Sequence, residues 1–321
     1  MKKNLLLSLM FGISVTLVAC NGDGQNNSIS GNYYSASNTS YYQIESSNNQ
    51  LSLNIISTTS AASFPLTFKA VNSYTFGSGG VVGTLTMDNN NIGISFQSAQ
   101  STWIDFATLG QNLAASLPNG TYNLVCDQTN LSACQLVVNN GTVSITEYST
   151  TGQQTQLCQN SSVTPANLNS NPNLQKFTCG VNGGSTSGTW YAQAFTIEST
   201  TGIMLNEFNP TTNSNNDETD EIAFPISMSI NPSGTYYYVY YGGATSSGVG
   251  STTAQFSSAG IINSVVGLCS GAACALIQNQ YYNSNTLAGF DWYNVNGLNN
   301  YNLVGNDTMG IYQDSFEGFY F

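Results

Sequence analysis

Val137-Val138-Asn139-Asn140-Gly141-Thr142-Val143-Ser144-Ile145 is the stretch that decides the fold class. Branched apolar residues alternate with polar ones on either side of Asn-Gly. That dipeptide supplies the two positive-φ positions of a tight hairpin turn. The same grammar runs outward in both directions. Leu51-Ser-Leu-Asn-Ile-Ile56 alternates, and the Tyr/Val run from Thr235 to Tyr241 is bounded by Gly234 and Gly242. β-Branched and aromatic runs between Gly, Asn and Ser clusters predict strands and turns. The best helical periodicity lies in Leu109 to Leu117, which predicts about two turns ahead of Pro118.

The strands fall into a weak internal repeat. Gly31-Asn-Tyr33, Gly120-Thr-Tyr122 and Gly234-Thr-Tyr236 each open a strand after a turn. Each unit later carries a hairpin running into Gly-Ile, at Gly93-Ile94, Gly202-Ile203 and Gly310-Ile311. One more apolar stretch follows each: Trp103 to Phe106, Ile222 to Met228 and Phe316 to Phe321. The expected architecture is all-β, a tandem of small antiparallel sandwich or barrel modules. The expected boundaries are an N-terminal segment at 1–19, a tether at 20–30, and modules at 31–117, 118–231 and 232–321. The first module has no Cys and reads as the degenerate copy. A β-propeller is the alternative, because Pro232-Ser-Gly-Thr-Tyr is similar to strand openings of lactonase-type propellers. A membrane-spanning barrel is a further alternative, drawn from the alternating aromatics that end at Phe321.

Composition narrows the function classes. A chain of 321 residues has room for two or three domains at roughly 100–200 residues each. It has 16 acidic residues, 4 lysines, no Arg and no His, for a net charge of −12. Nucleic acid is excluded as a partner, because phosphate binding needs a basic surface. Without His, imidazole-based nucleophiles and His-ligated metals are excluded too. Charged residues are 6% of the chain but apolar ones 40% and aromatics 12%, so a core is within reach and disorder is not expected.

Met1-Lys2-Lys3-Asn4 opens with positive charge. Leu5 to Ala19 is apolar but too short to span a bilayer, and it ends in Leu17-Val18-Ala19-Cys20. Residues 1–20 resemble the bacterial lipoprotein signal peptide with its lipobox. The resemblance implies cleavage before Cys20 and acylation of Cys20, with the lipid bilayer as partner. Asn21 after the Cys implies the outer membrane rather than the inner. Loss of Lys2 and Lys3 makes the remainder two charges more negative. Residues 21–30 lack periodicity and read as a tether reaching at most about 35 Å.

Six further cysteines remain: Cys126, Cys134, Cys158, Cys179, Cys269 and Cys274. An even set in an exported chain predicts three disulfides, with neighbour pairing Cys126–Cys134, Cys158–Cys179 and Cys269–Cys274. The spacings lack the paired C-x-x-C knuckles of a zinc site.

No residue pattern announces catalysis, and the expected protein is not an enzyme. Acidic residues are scattered without a pair suited to glycoside hydrolysis. Lys69 and Lys176 lie in no Ser-Lys motif, and Gly77-Ser-Gly-Gly80 lacks the Lys and helix of a phosphate loop. No cofactor is expected beyond a candidate Ca²⁺ site at Asp217, Asp220 and Glu221. Its EF-hand-like spacing from Asn213 fails at Glu218, where Gly is required, and at Phe224. Tyr236, Tyr238, Tyr240, Trp190 and Trp292 are the candidate ligand-binding aromatics, since amphipathic rings anchor sugars or proteins at low entropic cost. The expected role is a surface or binding protein of the bacterial envelope with a glycan or protein ligand. The alternatives are a glycan-active enzyme and a structural coat component.

Overall fold

A computed structural model describes the chain from Ile29 to Tyr320, apart from short connections and the longer segments 209–220, 227–233 and 271–289. Beyond Ile226 it describes backbone pairing and only one side chain, Gln255. The strands form three antiparallel sheets. The first holds β1 (Gly31–Tyr34), β2 (Ser40–Ser47), β3 (Gln50–Ser57), β4 (Ala61–Pro65), β5 (Thr67–Ala70), β6 (Ser73–Phe76), β7 (Val82–Asp88), β8 (Asn91–Gln97) and β9 (Thr102–Leu109). The second holds β10 (Gly120–Asp127), β11 (Ser132–Asn139), β12 (Thr142–Tyr148), β13 (Gln154–Ser162), β14 (Thr164–Pro165), β15 (Gln175–Val181), β16 (Thr186–Ile197), β17 (Thr200–Phe208) and β18 (Glu221–Pro225). The third holds β19 (Gly234–Gly242), β20 (Gly248–Phe256), β21 (Ile262–Val265), β22 (Cys269–Ser270), β23 (Phe290–Val295), β24 (Leu298–Asn306), β25 (Met309–Gln313) and β26 (Phe316–Tyr320).

The pairing order makes the first two sheets nearly closed barrels. In the first, β1 pairs with β2 on one side and with the last strand, β9, on the other. The order ends at β4 on one flank and β5 on the other, yet these two are consecutive and only Leu66 separates them. One kinked strand therefore leaves β3 for β6, and the sheet curls until its two ends meet in that strand. The Leu66 N–H donates to the Leu51 carbonyl at 2.8 Å as the chain crosses over. The second sheet repeats this with Val163 between β13 and β14, its N–H donating to the Gly141 carbonyl at 2.9 Å. Closure removes the exposed edges of an open sheet. Four-stranded propeller blades are absent among the described residues, so the propeller alternative is set aside.

Alternation fills each barrel. Tyr42, Ile44, Leu53, Leu85, Ile92 and Ile94 belong to the first core, and Leu124, Leu136, Ile145, Trp190, Ile203 and Leu205 to the second. Such apolar, packed interiors are the inverse of a membrane-spanning barrel with a polar lumen. The Asn140-Gly141 turn has φ of 47° and 79°, as its dipeptide predicts, and Asn48-Asn49 repeats the geometry at 51° and 61°.

The opening tyrosines match. Tyr33 and Tyr122 are both buried, both lie on a first strand and both pair with the last strand, at Leu109 and Pro225. Each hydroxyl donates to the carbonyl four residues earlier, Tyr33 to Ile29 at 2.7 Å and Tyr122 to Pro118 at 3.1 Å. Burial raises both phenol pKa values, that of Tyr33 to about 12. Tyr236 opens the third sheet on β19; its side chain lies outside the described residues.

Three expectations need correction. The first module is not degenerate: it has the same nine strands in the same order as the second. The Gly-Ile motifs are not equivalent either. Ile92 pairs with Ala107, and Ile203 with Ala223, each two places from the residue that pairs with the opening tyrosine. Gly93 follows the matched isoleucine and Gly202 precedes it. Gly202 is required locally, because a Cβ there would meet the Phe195 ring at 2.5 Å. Finally, Leu109 to Leu117 forms only a 3-10 turn, Gly110–Asn112. The Ala114 N–H donates to Ala194 at 2.9 Å, and Gln193 Nε2 donates to the Ala114 carbonyl at 3.0 Å. Strand β16 thus satisfies the backbone of a segment too short to hold a helix by itself. Leu117 joins the second core.

Several strands are buried on both faces, Asn91 to Ser95 and Glu221 to Phe224 among them. The outer faces are covered by neighbouring units. Strands β19 and β20 lie against β7, β8 and β9, and β24 lies against β10, β17 and β18. Phe106 meets Phe195 at 5.4 Å between ring centroids, and Asn171 Nδ2 donates to the Ser35 carbonyl at 3.2 Å.

Two outcomes are expected. Folded Tyr33 holds its proton more tightly than unfolded tyrosine, so its contribution is intact below pH 10 and is lost as pH rises toward about 12. Urea titrations between pH 9 and 12 check this, and Tyr33→Phe flattens part of the decline. In Cys158→Ala/Cys179→Ala, loss of the bridge described next costs about 2–5 kcal/mol of unfolding free energy.

Candidate functional site

Cys158 on β13 and Cys179 on β15 form a disulfide with Cα atoms 4.9 Å apart. The bond spans the seam of the second barrel, joining β13, where Cys158 pairs with Ile145 of β12, to β15, where Cys179 pairs with Gly188 of β16. Cys134 is disulfide-bonded and buried on β11. Its expected partner Cys126 belongs to the facing strand β10, with its side chain outside the described residues. Cys269 is on β22, while Cys274 and Cys20 lie outside the described residues.

Of the candidate cation cluster, the structure describes one residue. Asp217 and Asp220 lie outside the described residues, whereas Glu221 is the first residue of β18 and only 5% exposed. It pairs with Leu205, shares the face of Ala223, and so belongs to the barrel interior rather than to a solvated loop. Phe224, the twelfth place of the EF-hand reading, is buried on the same strand.

Trp190 is corrected from ligand anchor to core residue. It is fully buried, stacks on Phe177 at 6.1 Å and donates its indole N–H to the Gly180 carbonyl at 3.3 Å. Tyr236, Tyr238 and Tyr240 occupy alternate positions of β19, so their positions share one face, and Tyr238 pairs with Tyr320 on β26. Trp292 on β23 pairs with Tyr301. Their side chains lie outside the described residues.

What sequence reading missed is a pair of matched buried acids. Asp105 pairs with Ile94, and Glu221 with Leu205, in each case two places before the alanine that aligns the two last strands. The shared pattern Asp105-Phe-Ala107 and Glu221-Ile-Ala223 was the available signal. Asp105 has no exposed surface. Its Oδ2 accepts the Tyr42 hydroxyl at 2.5 Å and its Oδ1 accepts the Phe106 N–H at 2.8 Å. The lysines among the described residues, Lys69 and Lys176, are exposed, so hydrogen bonding rather than a buried cation holds this carboxyl. In the second barrel, Leu136 stands at the place of Tyr42, since Tyr33 pairs with Tyr42 and Tyr122 with Leu136.

A second missed feature is an outward cavity of about 440 Å³ on the first barrel, lined by Pro65, Thr67, Thr75, Phe76 and the loop from Gly77 to Val82. Val82, one of its lining residues, is a large apolar side chain at 61% exposure.

Tyr42→Phe is expected to lower stability by about 1–3 kcal/mol, because it strips a donor from a buried carboxyl. A denaturant midpoint equal to that of wild type would show that this bond carries nothing.

No protein-family model matches the chain, and no curated protein matches its sequence significantly.

Proposed function

We propose that this chain is a lipid-anchored protein of the bacterial envelope, held through acylated Cys20 to the outer membrane, whose barrels act as a non-enzymatic binding scaffold. The observation that carries the reading is the Cys158–Cys179 bridge. A structural disulfide belongs to an oxidising, exported compartment, which agrees with the lipobox at Leu17 to Cys20. Acyl chains add about 0.8 kcal/mol per buried methylene, so more than one chain anchors stably.

The barrels support binding rather than turnover. The interiors of the first two barrels are filled by side chains, with no lumen among the described residues of the kind larger barrels enclose for a carried ligand. The buried acids Asp105 and Glu221 sit in separate barrels and cannot flank one glycosidic bond. Recognition then falls to outer surfaces, with a glycan or a protein as ligand.

Cys20→Ser is expected to move the chain from the membrane fraction to the soluble one, and metabolic labelling with palmitate should mark wild type alone. An unlabelled wild-type chain would remove the anchor from this reading.

A further inference from the structure

The first two barrels share one scaffold and differ at its seam. In the second, Cys158 and Cys179 tie β13 to β15. The registers locate the matching places in the first. Tyr42 pairs with Ile55 and Ile55 with Ala62, as Leu136 pairs with Ile145 and Ile145 with Cys158, so Ala62 stands for Cys158. Phe76 pairs with Gly83 and Phe177 with Trp190 at equivalent rungs, so Ser78, two places after Phe76, stands for Cys179. The places that a covalent bond joins in one copy hold Ala62 and Ser78 in the other, and Phe64 meets Phe76 at 5.5 Å beside them. The outward cavity lies there.

Resting on the binding-scaffold reading above, we infer that this seam cavity is a binding site for an uncharged glycan chain. Its volume of about 440 Å³ falls within the roughly 300–1,000 Å³ of small-ligand sites. No charged side chain lines it. Thr67, Thr75 and Ser78 bring hydroxyls, while Pro65 and Val82 bring apolar faces. This mixture suits a ligand with hydroxyls on its rim and C–H groups on its face. Gly79 and Gly80 hold φ of 60° and 91°, and a Cβ on either would meet nothing within 4 Å, so the loop backbone is open to close approach. An anion is disfavoured by the net charge of −12, and a metal cation by the lack of lining carboxylates. An added peptide strand is disfavoured because β4 ends at Pro65, which has no N–H, and β5 is only four residues long.

The test uses the full chain in detergent on a printed array of neutral and sialylated oligosaccharides. Neutral glycans are expected to be retained over sialylated ones. Thr67→Trp and Ser78→Tyr, both at exposed positions, are expected to weaken that retention about tenfold, whereas Gln154→Trp on the second barrel leaves it unchanged. Circular dichroism of all three variants should match wild type. An array that retains no neutral glycan, or retention untouched by both seam variants, overturns the site, as does displacement of the glycan by an unstructured peptide at equal concentration. Membrane fractionation of Cys20→Ser reads the anchor separately, so the site can fall while the anchored reading stands.

Discussion

Closure of the first strand onto the last is the constraint from which the rest follows. Once β1 is paired with β9 and β10 with β18, every inward position of nine short strands faces one small interior. That interior must be filled, so the inward residues are aromatic and branched. Tyr33 and Tyr122 stand on the closing strands and tie the preceding turn to them through their hydroxyls. Closure also frees the chain from charge as a defence against edge pairing. A sequence with 6% charged residues and many Ser, Thr and Asn residues would otherwise present many edges suited to aggregation.

Within this shared frame the two barrels solve the same rung differently. In the first, Gly83 carries no side chain and the Phe76 ring occupies the space, so close that a Cβ would meet it at 2.2 Å. In the second, the matching place is Trp190, which stacks on Phe177. Glycine plus Phe in one copy and Trp plus Phe in the other fill this rung with different volumes. The disulfide accompanies the bulkier pair, and the cavity accompanies the smaller one. Tyr42 and Leu136 vary in the same coupled way. The tyrosine supplies a donor where Asp105 needs one.

The strands were legible because their signals are local. Alternation and Asn-Gly turns act over a few residues, and the Gly-x-Tyr openings carry a hydrogen bond that reaches back only four. The neighbour disulfide at Cys158 and Cys179 was legible for a related reason, since a seam crossing joins strands close in sequence. Features set by long-range packing were not. Asp105 lies on an apolar stripe in the chain, but only the curling of the sheet brings it to Tyr42, on a strand that β9 does not pair with. The helical reading of 109–117 failed because β16 offers Ala114 a better partner than a helix would. Gly93 and Gly202 look alike in sequence, yet they sit on opposite sides of the matched isoleucines, and Gly202 answers to the Phe195 ring.

The outer faces explain why polarity misleads here. Thr84, Ser95, Asn91 and Thr108 read as the wet side of their strands, but all are buried. They satisfy one another instead, Thr84 with Ser95 at 2.6 Å and Thr108 with Asn91 at 2.9 Å. A face made of short hydroxyl and amide side chains can be covered by a neighbouring unit without leaving stranded charges, which a face of Lys and Glu cannot. The low charge of the chain and the burial of its outer faces are thus one property. It also bears on recognition. Surface left over after the units pack keeps the same uncharged hydroxyl and amide chemistry, so any ligand it selects must be met by hydrogen bonds and apolar contact rather than by ion pairing.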